Sequence, residues 1–276
     1  MSAAFDRVAL ITGCGKTPGI GSATARALSR AGYRLAVSDI APSGVANDND
    51  DASVAQSGGL DRLVGELIDG GSDAFALTGD VSSEADAARM VDDVLDRYGR
   101  LDVLVNNAGA PHGEDRGDIE TVSLAAWERV MAVNVRGVFL MSRAAVGPMR
   151  RQRFGCIVNI ASAIVKYAVP RRTPYITSKA AVVAFTEALA LDVADSGITV
   201  NAVCPGSVRT TRAISSTRKA GYTDIEAGMR ERARGIPLGR HGEADEIAAT
   251  VAFLASDAAA YVTGSAVYVD GGGLPR

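Results

Sequence analysis

A tyrosine and a lysine stand four residues apart in the stretch TPYITSKAA, which begins at residue 173. In a helix, positions i and i+4 share one face, so the phenol of Tyr175 would lie beside the ammonium of Lys179. Thr173 is a candidate N-cap and Pro174 suits the first helical position, which places Tyr175 near the favourable end of the helix dipole for a phenolate. A free tyrosine has a pKa of about 10, and both effects lower it. The spacing predicts a proton-exchanging tyrosine, with two solvated polar side chains as the alternative.

A glycine-rich turn follows the first apolar run. The stretch TGCGKTPGIG, residues 12–21, carries four glycines between a strand-like and a helix-like segment. Backbone amides in such a turn can approach a pyrophosphate, and the helix N-terminus favours its charge. The pattern predicts a dinucleotide site, and a merely tight turn is the alternative.

An acidic residue, Asp39, ends the second apolar run, 18 residues after Gly21. A carboxylate there accepts hydrogen bonds from the ribose hydroxyls of an adenosine and repels a 2′-phosphate. We therefore expect NAD rather than NADP. Lys16 and Arg34 are the nearby residues that favour NADP, and a helix cap or solvated acid is the other interpretation of Asp39.

Short apolar runs alternate with helical patterns along the chain. The helix-like segments lie at roughly 20–32, 60–70, 83–98, 123–150, 174–195 and 243–256. Continuous Val, Ile and Leu runs are typical of parallel strands that are covered on both faces. The alternation predicts an α/β fold: one doubly wound (Rossmann) domain over 1–276, with a seven-stranded parallel sheet, helices on both faces and ligands at the carboxyl ends of the strands. The predicted strands are 8–12, 34–39, 73–80, 101–109, 156–162, 198–206 and 266–272.

Two segments depart from this alternation. Residues 41–59 are polar and aperiodic, which indicates an inserted loop. Residues 208–237 form a long excursion before the last helix and strand, and we interpret them as a substrate-loop region because long loops in compact domains are often functional.

The composition excludes several classes of protein. Apolar residues make up 47% of the chain and charged residues 22%, and the net charge is −3, so neither nucleic acid nor an anionic membrane is an expected partner. Three scattered cysteines and two histidines show no metal-ligand spacing, so no metal is expected. The N-terminal apolar run is too short for a signal peptide, and no run is judged long enough to cross a bilayer. These features predict a soluble cytoplasmic protein.

Six motifs in order resemble the classical short-chain dehydrogenase/reductase family over nearly the whole chain. They are TGCGKTPGIG, NNAG (106–109), MAVNVRG (131–137), NIAS (159–162), YITSK (175–179) and PGSVRT (205–210). One motif departs from the family pattern TGxxxGxG: five residues follow Gly13 before the next motif glycine. Either two residues are inserted, or Gly15 replaces the first glycine and the threonine is lost.

The resemblance implies roles for individual residues. Tyr175 would be the general acid/base, and Lys179 would acidify it and bind the nicotinamide ribose. Ser162 would orient the substrate oxygen, and Asn134 would hold a water that links Lys179 to solvent. The expected cofactor-binding residues are Gly13, Gly15, Gly19, Ile20, Gly21, Asp39, Asp80, Val81, Asn107, Ala108, Gly109, Tyr175, Lys179, Pro205, Gly206, Val208 and Thr210.

Basic residues are concentrated where the family's substrate pocket is expected. Arginine binds carboxylate or phosphate with a bidentate fork, so we hypothesise a small polar or anionic hydroxy or keto substrate. The alternative is that most of these side chains face solvent or a subunit contact. The candidates are His112, Arg116, Arg171, Arg172, Arg209 and Arg212, with Arg218 and Lys219 further along the same loop.

Three functions remain open from the sequence. The first is an NAD-dependent dehydrogenase of secondary alcohols, and the second is an NADPH-dependent 3-oxoacyl-thioester or other carbonyl reductase. The third is a cofactor-sensing protein without catalysis, against which the complete Asn134, Ser162, Tyr175 and Lys179 set argues. The resemblance also implies a homotetramer, or a dimer, built from the helices at 123–150 and 174–195.

Overall fold

The computed structural model describes residues 7–47, 50 and 59–273. In this part of the chain, seven parallel strands form one sheet in the order β3-β2-β1-β4-β5-β6-β7. The doubly wound α/β prediction is confirmed. The strands are β1 (Val8–Thr12), β2 (Arg34–Asp39), β3 (Ala74–Thr78), β4 (Val103–Asn106), β5 (Gly155–Ile160), β6 (Ile198–Pro205) and β7 (Ala266–Val269).

Helices cover both faces of the sheet. One face carries α1, α2 and α9, and the other carries α3, α5 and α6. Apolar side chains fill both layers, which explains why the strands are continuous apolar runs. The helices are α1 (Ile20–Arg30), α2 (Leu60–Asp69), α3 (Glu84–Tyr98), α4 (Leu124–Met131), α5 (Gly137–Gln152), α6 (Thr173–Val193), α7 (Thr211–Lys219), α8 (Ile225–Ala233) and α9 (Ala244–Leu254).

The strand order reverses between β1 and β4. From β1 the chain builds outward through β2 and β3, then returns to β4 and builds in the other direction. The connections leave opposite sides of the sheet at this point and open a crevice at the carboxyl ends of the strands. Several predicted strands end earlier than expected because the chain leaves the sheet at this edge; residues 107–109, 161–162 and 270–272 lie beyond the strands.

The glycine-rich turn packs tightly between β1, α1 and the end of β4. Gly13 has a φ of 75°, and a Cβ on it would lie 2.8 Å from the Cα of Ala108. A Cβ on Gly21 would lie 2.4 Å from the carbonyl oxygen of Gly13 and 2.6 Å from Nδ2 of Asn107. Gly19 is the N-cap of α1. Gly13 therefore occupies the first motif position, and the two extra residues lengthen the turn.

Gly15 has a separate structural role. Its amide donates a 2.8 Å hydrogen bond to Oδ2 of Asp39, and a Cβ would lie 2.5 Å from the backbone nitrogen of Gly44. Of the predicted inserted loop 41–59, residues 48, 49 and 51–58 lie outside the described residues. The described part returns to the glycine turn, where Asp50 pairs with Lys16 at 2.8 Å.

The segment from α4 to α5 is one helical stretch interrupted by a π-helix over Ala132–Arg136. Contrary to our expectation, Leu124–Gln152 is long and apolar enough, by length and composition alone, to span a bilayer. In the structure, however, Met141, Ala145 and Met149 of this stretch are buried in the core against the sheet. Its hydropathy is therefore accounted for by packing within the domain.

The predicted loop at 208–237 contains two helices, α7 and α8. Asp224 caps α8 by accepting a 3.0 Å hydrogen bond from the amide of Ala227. The side chain of Thr217 on α7 contacts the sulfur of Met229 on α8 at 3.2 Å, so the two helices pack on each other. Both helices are short and rich in charged residues, so hydrophobic periodicity in the sequence did not predict them.

We expect Gly21→Ala to lower the free energy of unfolding by about 1–3 kcal/mol, because its Cβ meets backbone atoms that cannot move freely. Urea unfolding of the purified protein measures this. The matched control is Gly65→Ala in α2, where nothing lies within 4 Å of the new Cβ. The control should be neutral or stabilising by up to about 1 kcal/mol. A Gly21→Ala protein as stable as its parent would contradict the packing described here.

Candidate active site

Tyr175 and Lys179 lie in the first two turns of α6 and both face the crevice. Lys179 is buried, and its Nζ donates a 2.7 Å hydrogen bond to the carbonyl oxygen of Ile160 at the end of β5. The helix begins at Thr173, with Arg172 at the N-cap and no side-chain cap bond. The predicted Thr173 cap is therefore wrong: Arg172, with a φ of −140°, is the last non-helical residue, and its carbonyl already accepts from the amide of Ile176.

The environment of Tyr175 makes its phenol acidic. Burial alone would raise the pKa of Tyr175, but the positive charges of Lys179 and Arg212 oppose this. A hydrogen bond with Ser162 and the charge of Arg116 act in the same direction as the two cations, and the pKa lies below its ordinary value. Burial lowers the pKa of Lys179, while the phenol opposes that change. The pair can therefore pass a proton at lower pH than an isolated tyrosine.

Ser162 lies two residues after the end of β5, in the crevice beside the phenol. Its hydroxyl accepts a hydrogen bond from the amide of Ile164 at 3.4 Å, in the short 3₁₀ turn that follows. The strand end and this turn fix the hydroxyl where a substrate oxygen would meet both Ser162 and Tyr175.

Asn134 lies in the π-helix and is buried. Its Oδ1 accepts from the amide of Ala110 at 2.8 Å, and its Nδ2 donates to the hydroxyl of Ser178 at 2.9 Å. The π-helix turns this polar side chain inward, where it joins the loop after β4 to α6. Asn134 does not line the crevice itself, and its role in holding a water stays a prediction.

One cavity of about 1120 Å³ runs along the carboxyl edge of the sheet and contains most of the predicted residues. It is large enough for a dinucleotide together with a small substrate. Fifteen predicted cofactor residues line it: Gly13, Gly19, Ile20, Asp39, Asp80, Val81, Asn107, Ala108, Gly109, Tyr175, Lys179, Pro205, Gly206, Val208 and Thr210. Gly15 and Gly21 do not, because both pack against backbone behind the turn.

The residues present suit a pyrophosphate at the glycine turn. The N-cap of α1 is Gly19, no side chain caps the helix, and no acidic residue lies in its first turn. The amides at this end are therefore free of side-chain competition and favour an anion. The backbone amides at the start of α1 are therefore suitable hydrogen-bond donors for the phosphates of a dinucleotide.

Asp39 stands at the far end of the cavity from Tyr175. Its Oδ2 accepts from the amide of Gly15 and its Oδ1 from the amide of Ile40, each at 2.8 Å. Burial raises the pKa of Asp39, which the two backbone hydrogen bonds partly offset. Lys16, which could have favoured a 2′-phosphate, is instead paired with Asp50.

The predicted substrate residues divide into two groups. His112, Arg116, Arg172 and Arg212 line the cavity. The prediction that Arg171 and Arg209 line the substrate pocket is wrong, because both lie on the surface. Arg171 pairs there with Asp118 at 3.0 Å, and Arg209 pairs with Glu226. Arg218 and Lys219 do not line the cavity either. Sequence reasoning missed Asn47, Arg129, Ser216 and Arg232, which do line it; Arg232 belongs to a helix that was assigned to a loop.

Comparisons with known proteins agree with this geometry. A family model described as enoyl-(acyl carrier protein) reductase matches residues 13–273. A 3-oxoacyl-[acyl-carrier-protein] reductase of Synechocystis is 35% identical over 99% of this chain and 98% of its own. A 2-(S)-hydroxypropyl-CoM dehydrogenase of Xanthobacter autotrophicus is 37% identical over 97% and 96%.

Among solved structures, a tryptophan variant of actinorhodin polyketide ketoreductase with NADPH superposes with a TM-score of 0.86 at 36% identity, over the whole of both chains. These matches agree with the sequence motifs, with the order of the strands and with the geometry of Tyr175 and Lys179. The chain belongs to the classical short-chain dehydrogenase/reductase family and is an oxidoreductase that uses a nicotinamide cofactor.

Proposed function

We propose that the protein oxidises a secondary alcohol to a ketone, or catalyses the reverse, with Tyr175 as the acid/base and NAD as the preferred cofactor. The observation that carries the proposal is the acidified phenol beside Lys179 and Ser162 in the cavity. The nicotinamide cofactor supplies or accepts the hydride.

The chain's own residues handle the proton. In the oxidation direction the Tyr175 phenolate takes the proton of the substrate hydroxyl, which Ser162 orients by a hydrogen bond. The buried ammonium of Lys179 stabilises the phenolate before the proton arrives. Its hydrogen bond to the carbonyl oxygen of Ile160 keeps the ammonium at a fixed position.

Asp39 supports the NAD preference. Its carboxylate lines the adenosine end of the cavity, is oriented by two backbone amides and is followed by Ile40 rather than a basic residue. A 2′-phosphate near this carboxylate would be repelled. Lys16 could compensate such a phosphate only by leaving Asp50.

A second candidate is an NADPH-dependent 3-oxoacyl-thioester reductase. The names of several relatives favour it, since 3-oxoacyl-[acyl-carrier-protein] reductases and an NADPH-bound ketoreductase align with the whole chain. The relative activities with the two coenzymes discriminate between the candidates.

We also propose a homotetramer built through α5 and α6. The outward face of α6 carries Ala180, Ala184 and Ala188 in successive turns, followed by Leu191, whose relative exposure is 83%. Phe139 on α5 is 43% exposed and packs edge-on to Phe185 of α6. An apolar face of this kind is typical of a subunit contact.

Tyr175→Phe should lower kcat by about 10²–10⁴-fold, because the proton acceptor is lost. In Lys179→Met the pKa of Tyr175 rises, so the acid limb of the kcat/KM profile for alcohol oxidation should move to higher pH by about one unit or more. Steady-state rates from pH 5 to 10 test both. Lys166→Met, outside the cavity, is the matched control and should keep the parental profile.

For coenzyme choice, the parent should prefer NAD in kcat/KM. Asp39→Asn retains an oxygen acceptor for the Gly15 amide and removes the charge, so the NADP/NAD ratio should rise by about tenfold. Asp61→Asn on the exposed start of α2 is the control. A parent that prefers NADP would overturn the proposed role of Asp39.

For assembly, light scattering after gel filtration should give four protomers for the parent and fewer for Ala184→Arg, which places a charge in the apolar face of α6. Ala88→Arg on the exposed side of α3 should leave the mass unchanged. The same mass for both variants and the parent would argue against this interface.

A further inference from the structure

Positive charge is concentrated in the cavity of a protein whose net charge is −3. Among the described residues that line it, seven are cationic and two, Asp39 and Asp80, are acidic. Both acids lie at the adenosine end. Four arginines at the Tyr175 end, called the arginine cluster below, have no acidic residue among the lining groups near them: Arg116, Arg172, Arg212 and Arg232.

Arg116 is the most buried member, with only 9% of its side chain exposed. Its Nη2 lies 2.5 Å from Nε2 of His112, and its Nε has no hydrogen-bond partner among the described residues. Asp115 is 4.0 Å from that Nε, and its other carboxylate oxygen accepts from the amide of Gly113. A buried guanidinium with an unused donor is unfavourable unless a ligand completes it.

His112 does not compensate the charge. Burial and the surrounding cations lower the pKa of His112, so its ring is neutral and serves Arg116 only as a hydrogen-bond acceptor. Burial, followed by the charge of Arg172, also lowers the pKa of Arg116 to about 10. The charge of the buried Asp115 offsets part of this effect on Arg116, and the cations of the cluster repel one another.

The other three members are held by neutral groups or by none. Arg212 donates to the carbonyl oxygen of Ala110. Arg232 donates to the hydroxyls of Ser216 and Thr217 at 3.4 and 3.2 Å. No hydrogen bond or ion pair holds the side chain of Arg172 within the part of the chain that the structure describes.

Several arginines outside the cavity are paired with carboxylates. Arg171, the sequence neighbour of Arg172, pairs with Asp118, and Arg209 pairs with Glu226. Ion pairs with carboxylates also hold Arg26, Arg97 and Arg240 on the surface. These surface arginines are thus each balanced by a carboxylate, whereas no carboxylate lies among the described cavity-lining groups near Arg172, Arg212 or Arg232.

Two members of the cluster lie at the reaction centre. The guanidinium carbon of Arg212 is 5.9 Å from the centre of the Tyr175 ring, and that of Arg116 is 6.0 Å from it. Both charges lower the pKa of Tyr175, whereas Arg172 and Arg232 are not among the groups that shift it. The phenolate therefore balances part of the charge on Arg116 and Arg212, and no carboxylate of the described residues lines the cavity beside Arg172 and Arg232.

We infer that the substrate is a small hydroxy or keto compound that carries an oxyanion group, which the arginine cluster binds while the reacting oxygen faces Tyr175. Carboxylate, phosphate and sulfonate share the planar or tetrahedral oxygen pattern that a guanidinium fork binds in bidentate fashion. Because Arg116 and Arg212 lie 6.0 and 5.9 Å from the centre of the Tyr175 ring, an anion bound by the cluster lies near the reacting carbon. This inference rests on the proposed oxidoreductase function.

Two other sources of negative charge are distinguishable. The cofactor's pyrophosphate belongs at the N-terminus of α1, beside Gly19 and Lys16. A carrier-bound 3-oxoacyl thioester places a neutral 3-oxo group beside the phenol. Its negative charge lies far from the reacting carbon, on the long arm that joins the acyl group to its carrier. If the cluster bound the cofactor's pyrophosphate, substitutions in the cluster would weaken NAD binding. If the substrate were a carrier-bound thioester, neutral thioesters would be good substrates.

The test compares substrates of one skeleton with and without the anion: 3-hydroxybutanoate, 4-hydroxypentanoate and 2-hydroxypropyl phosphate, against the methyl esters of the two acids and against propane-1,2-diol. The reduction arm uses 3-oxobutanoate and the neutral acetoacetyl thioester of N-acetylcysteamine. NAD-dependent turnover is measured for the parent and for Arg172→Gln and Arg232→Gln. The matched controls are Arg171→Gln and Arg209→Gln, which remove surface arginines.

We expect the parent to prefer at least one anionic member of a pair by about tenfold or more in kcat/KM, because each arginine adds a charge-assisted hydrogen bond. Arg172→Gln and Arg232→Gln should raise KM for that anion about tenfold, without moving the pH profile or KM for NAD. Arg116→Gln and Arg212→Gln should raise KM and also shift the pH profile upward. Whether a carboxylate or the phosphate is preferred identifies the group.

Equal turnover of charged and neutral members, cluster variants that weaken only NAD binding, or preference for the neutral thioester would each overturn the inference and leave the oxidoreductase function intact. If no compound is turned over, calorimetry of the NADH-loaded protein with glutarate and inorganic phosphate decides separately. Binding that is lost in Arg172→Gln and kept in Arg171→Gln supports the anion site, and no binding refutes it.

Discussion

The chemistry of this protein depends on one buried cation. Lys179 lies one turn from Tyr175 and is held by the carbonyl oxygen of Ile160, so its charge stays close to the phenol even when solvent is excluded. Burial on its own would make the phenol a weaker acid, and the nearby positive charges reverse that tendency. The rest of the fold keeps this pair correctly placed.

That placement comes from the sheet. The end of β5 supplies both Ile160 and, two residues later, Ser162, while α6 supplies the tyrosine and the lysine. The π-helix between α4 and α5 directs Asn134 inward, where it joins α6 to the loop after β4 through the hydroxyl of Ser178. Three separate stretches of chain thereby hold the catalytic groups with backbone and buried polar contacts rather than with flexible surface bonds.

The sequence predicted the sheet, its helices and the Tyr175 and Lys179 pair because these follow from periodicity and from spacing along one helix. It did not separate Arg171 from Arg172. These neighbours go to opposite environments, since the chain takes a left-handed conformation at Arg171, with a φ of 61°, immediately before α6. Arg232 was missed because α8 is a short charged helix whose partner, α7, is known only from the fold.

Two residues between β2 and α2, Asn47 and Asp50, connect the two halves of the cavity. The side chain of Asn47 accepts a hydrogen bond from the amide of His112 at 3.2 Å, and the backbone amide of Asn47 donates one to Asp50. The carboxylate of Asp50 forms an ion pair with Lys16 of the glycine turn. The loop that carries His112 and Arg116 is thus tied through Asn47 to the wall of the adenosine half. Because Asn47 contacts the loop that carries His112 and Arg116, and Asp50 contacts the glycine turn, one hydrogen-bond network couples the geometry of the coenzyme half to that of the reaction chamber.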